Sequence, residues 1–150
     1  MNRHRLGSLL VLLQFGALGV LAVLGAPAFW HGAAGVGAWL CLLAGAAVGL
    51  AAVAANRPGN FNIHPAPRAG GALVTAGIYR FIRHPMYSSV MLCALAAAWA
   101  AGSSAGGLLV LALGAVLWRK AQLEEAWMQH AHSDYAAYAA RTRRFVPGLL

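Results

Sequence analysis

Two short clusters hold most of the residue types in this chain that can do acid–base or ion-pair chemistry: Arg83-His84-Pro85-Met86-Tyr87 and Glu124-Glu125. The glutamates are two of only three acids in 150 residues, Asp134 being the third, and the formal net charge is +8. Pro85 suits the first turn of a helix, where its missing N–H is no loss, so a helix is expected to start there with His84 as its cap residue. Bare N–H groups and the Arg83 guanidinium at that helix start make a place for a carboxylate or a phosphate. Glu124 and Glu125 point about 100° apart on a helix, so they do not easily share a partner, and one is expected to face a site while the other meets an arginine. Trp118, Gln122, Glu125, Gln129 and His132 fall on one face of that helix. A plainer reading stands beside this one, in which Arg83 snorkels to lipid headgroups, Tyr87 is an interface aromatic and the acids lie on a solvated helix face.

The elements that carry these clusters follow from where the charges are absent. Residues 6–56 contain no Lys, Arg, Asp or Glu, and neither do residues 85–118. Hydrophobic residues make up 61% of the chain and charged ones 9%, too little polar surface to cover a soluble globule. A span needs about 20 residues, so each charge-free run is cut once, at Ala26–Gly32 and at Gly102–Gly107. The expected fold is all-α and polytopic: four transmembrane helices in two hairpins, near 7–26, 34–55, 85–101 and 107–123, with a short C-terminal interfacial helix capped by Ser133. Residues 1–150 form one integral membrane domain on this reading. The Pro, Gly and Asn content of the segment from Asn56 to Gly71 forbids a regular helix there.

All eleven cations lie outside the two charge-free runs, which places both termini and the chemical clusters on the cytoplasmic side of the cell's inner membrane. The basic balance therefore speaks for anionic lipid as a partner and against nucleic acid. Trp30, Trp99 and Trp118 are expected to be interface anchors. Ala26-Pro27-Ala28 after a basic start resembles a signal-peptide end, but the apolar run is longer than a signal core and a second span follows, so the first helix is read as retained. Cys41 and Cys93 read as packing residues, and Gly45 and Gly49 are spaced for close helix approach. His64, His84, His130 and His132 show no metal-ligand spacing, so no metal is expected.

Taken in order, Leu73-Val74-Thr75-x-Gly77-x-Tyr79, the R-H-P-x-Y helix start, Arg119, Glu124-Glu125 and Tyr135-x-x-Tyr138 ahead of Phe145-Val146-Pro147 resemble the isoprenylcysteine carboxyl methyltransferase and phospholipid methyltransferase group. The resemblance runs from about Asn60 to Leu150, and the first hairpin adds only topology to it. It implies an S-adenosylmethionine-dependent methyltransferase acting on a lipophilic acceptor at the membrane. Gly77, Tyr79, Arg83, His84, Pro85 and Tyr87 would form one wall of the cofactor site, and Glu124 and Glu125 the other. Ile78, Ser89 and Ala131-His132 depart from the residues common in that group.

The residue types suit such a cofactor, which carries a carboxylate, an ammonium and a sulfonium and so needs a cation, an anion and an aromatic surface. An acceptor carboxylate, such as that of an isoprenylcysteine, needs no base, only orientation by Arg83 or Arg119. A lipid headgroup amine needs a base such as Glu125 or His84. Two other classes remain open at this point. A sterol-type NADPH-dependent reductase shares the R-H-P motif but typically continues it with Asn, where Met86 stands. A non-enzymatic subunit of a membrane complex would leave the polar clusters without a purpose.

Overall fold

A computed structural model describes residues 3–56 and 72–149. The segment between Asn56 and Gly71, with His64, lies outside the described residues apart from Asn56 itself. Among the described residues five α-helices follow one another: α1 (Arg3–Trp30), α2 (Val36–Ala55), α3 (Pro85–Ala101), α4 (Ser104–Ala131) and α5 (Tyr135–Arg141), with a 3-10 turn at Gly77–Arg80 ahead of α3. Among the described residues there is no strand, only an isolated parallel bridge between Ile82 and Arg143.

The apolar runs become helices because a backbone in lipid must satisfy its own hydrogen bonds. Large side chains such as Leu12, Val23, Leu40, Leu50, Leu108 and Leu111 face outward, the reverse of a water-soluble pattern. Among the described residues three helices are long and apolar enough to cross a membrane: α1, α2 and α4. The fourth expected span, α3, has the expected bounds of 85–101 but is the shorter apolar helix, with 17 residues. At about 1.5 Å per residue it reaches roughly 25 Å against a hydrocarbon core of about 30 Å.

The first cut also moves. Instead of breaking at Ala26, α1 continues through Pro27 to Trp30. Proline removes one hydrogen bond but lies within a turn of the helix end, and the Ala28 carbonyl closes that end by accepting from Ala33 and Ala34 at 2.8 and 3.0 Å. The second cut is a left-handed Gly102 followed by Ser103, whose side chain accepts from the Gly106 N–H at 3.1 Å.

Helix α3 packs against α1, α2 and α4 and is the centre of the bundle. Small residues make that possible. A Cβ on Gly45 would lie 2.8 Å from Cys93 Sγ, and one on Gly49 would lie 2.7 Å from Ser89 Oγ. The gap is used, since Ser89 Oγ donates to the Gly45 carbonyl at 2.7 Å. On the other side Leu21, Ala94, Ala98, Leu113 and Leu117 form a buried cluster joining α1, α3 and α4. These contacts fix the start of α3 beside the later turns of α4.

Candidate active site

The tight junction of α3 with α4 brings the two sequence clusters together. Arg83 Nε donates to Glu125 Oε1 at 2.9 Å. Tyr87 Oη donates to Glu124 Oε2 at 2.9 Å. His84 caps α3 as expected and stands between the two carboxylates, with Nε2 3.2 Å from Glu125 Oε1 and Nδ1 3.5 Å from Glu124 Oε2. The expectation that adjacent glutamates would not share a partner is therefore overturned. An imidazole has nitrogens on two edges, so one ring can meet two carboxylates that diverge.

Burial works against a charge on His84, but the hydrogen bonds and charges of Glu124 and Glu125 together outweigh it and raise its pKa above the ordinary 6.5. Tyr79, buried and then further disfavoured as an anion by Glu124, is pushed up to about 12. Tyr79 therefore stays a protonated donor near neutral pH, and His84 holds its proton more tightly than an ordinary imidazole does.

The two glutamates have different surroundings. Glu125 is nearly enclosed by Arg83, His84 and Arg144, the last a fork whose Nη2 lies 2.8 Å from Oε2. Glu124 has a side chain 32% exposed against 10% for Glu125, so it is the carboxylate with access to an incoming molecule.

The bare N–H groups expected at the start of α3 are partly filled. The tail after α5 runs back beside it, with Arg83 N donating to the Arg143 carbonyl at 2.7 Å and His84 N to the Arg144 carbonyl at 2.9 Å. Ser88 Oγ donates to the Phe145 carbonyl at 2.6 Å. The Arg83 guanidinium also donates to the Ala139 and Thr142 carbonyls through Nη1. It works as a strap for the tail, because carbonyls presented by a helix end and the turn after it need donors.

Phe145 lies among His84, Tyr87 and Trp118, with ring centroids 5.8, 6.4 and 5.8 Å away. Trp118, expected to be only an anchor, is thus a wall of this site and lies 4.8 Å under the Arg144 guanidinium. Tyr138, buried and likewise raised to about 12, donates to the Tyr79 carbonyl at 2.8 Å and ties α5 to the 3-10 turn.

The remaining expected site residues fall outside the cluster. Arg119 is exposed and donates to Gln122 at 3.0 Å. Gly77 has φ +58, and a Cβ there would lie 2.7 Å from Ala55 Cβ, so it serves the turn and its packing on α2. Pro85 is buried at the first position of α3. His132 ends α4 as its C-cap instead of continuing the helix face, and Asp134 instead of Ser133 precedes α5. Among the described residues no group of His, Cys, Asp and Glu could hold a metal ion.

The profile of the phospholipid methyltransferase family matches residues 32–135, more than half of the chain. The chain belongs to the phospholipid methyltransferase family. No curated protein and no solved structure matches it significantly. As a member of that family it is a membrane methyltransferase, and both glutamates and the R-H-P-x-Y helix start lie within the matched residues. Helix α1 and the tail at Arg144 and Phe145 lie outside them. Arg144, Phe145 and Trp118 were not among the expected site residues, because each taken alone is an ordinary interface residue. The signals present were the Phe145-Val146-Pro147 motif for Phe145 and the helix face shared with Glu125 for Trp118.

Proposed function

We propose that this protein transfers a methyl group from S-adenosylmethionine to the amine of a phospholipid headgroup at the cytoplasmic face of the inner membrane. The single observation that carries this reading is the partly exposed Glu124 carboxylate set beside the Tyr87 hydroxyl, with the Phe145 ring 6.4 Å from the Tyr87 ring. An anion next to aromatic faces fits a sulfonium or an ammonium. Arg83 and Arg144 are committed to Glu125 and, for Arg83, to the tail carbonyls, and Arg119 lies apart. A carboxylate acceptor would have to compete for Arg83 and Arg144, which are already paired, and this favours an amine.

Tyr87, Phe145 and Glu124 would hold the cationic part of the donor. Bound there, S-adenosylmethionine would supply a methyl group on a positively charged sulfur. Glu124 faces positive charge before transfer and the newly methylated amine after it, and it takes the proton that the amine sheds. Glu125 is too closely ringed by cations for that task, and His84 is engaged on both ring nitrogens by the two glutamates. Alignment and exclusion of water do the rest, and the Phe145 ring supplies part of the apolar cover.

The test incubates the purified protein with methyl-labelled S-adenosylmethionine and total membrane lipid. Label in an amine-bearing phospholipid supports the proposal. Label in a carboxyl ester, released by mild base, contradicts the amine assignment, and absence of label from every lipid contradicts the lipid acceptor.

A further inference from the structure

Lys120 is 1% exposed, a charged side chain buried in α4 at the top of the Leu113–Leu117 apolar cluster. Taking an ammonium out of water costs several kcal/mol unless partners are built for it. Here they come from two other helices. Gln14 of α1, itself 7% exposed, accepts a hydrogen bond from Lys120 Nζ. The Tyr87 ring of α3 lies with its centroid 5.2 Å from Nζ. An ionisable residue inside a membrane bundle marks function more often than packing.

The position is specific to the site. Lys120 is one helical turn before Glu124 on α4, and Tyr87, which it touches, donates to Glu124 Oε2 at 2.9 Å. The same ring is stacked on His84, with centroids 5.3 Å apart and planes 6° from parallel. Tyr87 is thus a plate whose orientation is set by two basic groups and whose hydroxyl aims the exposed glutamate. Gln14 lies outside the residues matched by the family profile, so α1 reaches the site through a contact of its own.

We propose that Lys120, held by Gln14, is a positioning residue of the methyl-transfer site: its ammonium fixes the Tyr87 ring, and Tyr87 in turn fixes Glu124 toward the cation it receives. This rests on the reading of Glu124 as the cation-binding carboxylate. The first hairpin is then part of the active machinery.

The test uses the full chain in detergent, with Tyr87 replaced by 3-fluorotyrosine as a fluorine NMR reporter and S-adenosylmethionine affinity measured by calorimetry. Lys120→Met is expected to shift and broaden the Tyr87 resonance and to weaken donor binding about tenfold, with the acceptor KM unchanged. Gln14→Leu is expected to act in the same direction, and Lys120→Arg to restore most of the affinity. A Lys120→Met protein with an unmoved resonance and wild-type affinity overturns the positioning role. Should Gln14→Leu fail to fold, Lys120→Met and Lys120→Arg decide the matter alone. If Lys120→Met moves the resonance but the wild-type chain binds no S-adenosylmethionine, the reading of Glu124 is overturned instead, and the inference falls with it.

Discussion

Arg144 grips Glu125 as a fork, with Nε 3.0 and 3.1 Å from the two carboxylate oxygens and Nη2 2.8 Å from Oε2. Arg83 and His84 approach the same carboxylate from the start of α3, so one acid ties α3, α4 and the tail together.

Glu125→Gln keeps the shape and removes the charge, leaving Arg83 and His84 facing a neutral amide while buried. The expected loss is about 3 kcal/mol of stability, seen as a lower thermal midpoint in detergent. A midpoint equal to wild type would mean that the cluster does not hold the tail.

His84 supplies a pH dependence. Its folded-state pKa is raised above 6.5, so the stabilisation it gives is fully present below about pH 6.5 and is lost as the pH rises through the raised value. The charged groups facing it are Glu124 and Glu125, with Arg83 and Arg144 on the far side of Glu125. The thermal midpoint of wild type is expected to fall toward that of His84→Asn as the pH is raised, and a constant gap between the two proteins would contradict the assignment.

Close approach of α2 and α3 is tested at Gly45. Gly45→Val places a side chain against Cys93 Sγ and the Ser89 carbonyl, and the expected loss is about 1–3 kcal/mol. Cys93→Ala is expected to recover part of that loss in the double variant and, alone, to leave turnover nearly unchanged. Full tolerance of Gly45→Val would show that the helices do not need this contact.

Much of the fold was legible because lipid imposes simple rules. The charge-free runs gave the helices and the Pro85 start of α3, and Gly102 marked one turn. Pro27 misled, since a proline near a helix end need not break it. That the Arg83–Tyr87 stretch and the Glu124–Glu125 pair come together was expected from motif order, but not that Arg83 would pair with Glu125 and Tyr87 with Glu124. One glutamate meeting an arginine while the other faces the site was also expected, but which one does so depends on Arg144, 19 residues after Glu125 and reached only through the α5 turn. Gln14 was hidden for a similar reason, since its partner Lys120 lies 106 residues away and nothing local links them. Pairings of that range are set by helix packing, and local patterns do not encode them.

The most direct test compares S-adenosylmethionine binding to wild type and Glu124→Gln by calorimetry. Glu124 is partly exposed and meets Tyr87 and His84, so the variant is expected to insert with a thermal midpoint close to wild type while its donor affinity falls at least about tenfold. Wild-type affinity in Glu124→Gln would contradict the account at its centre, because the exposed carboxylate would then take no part in holding the donor.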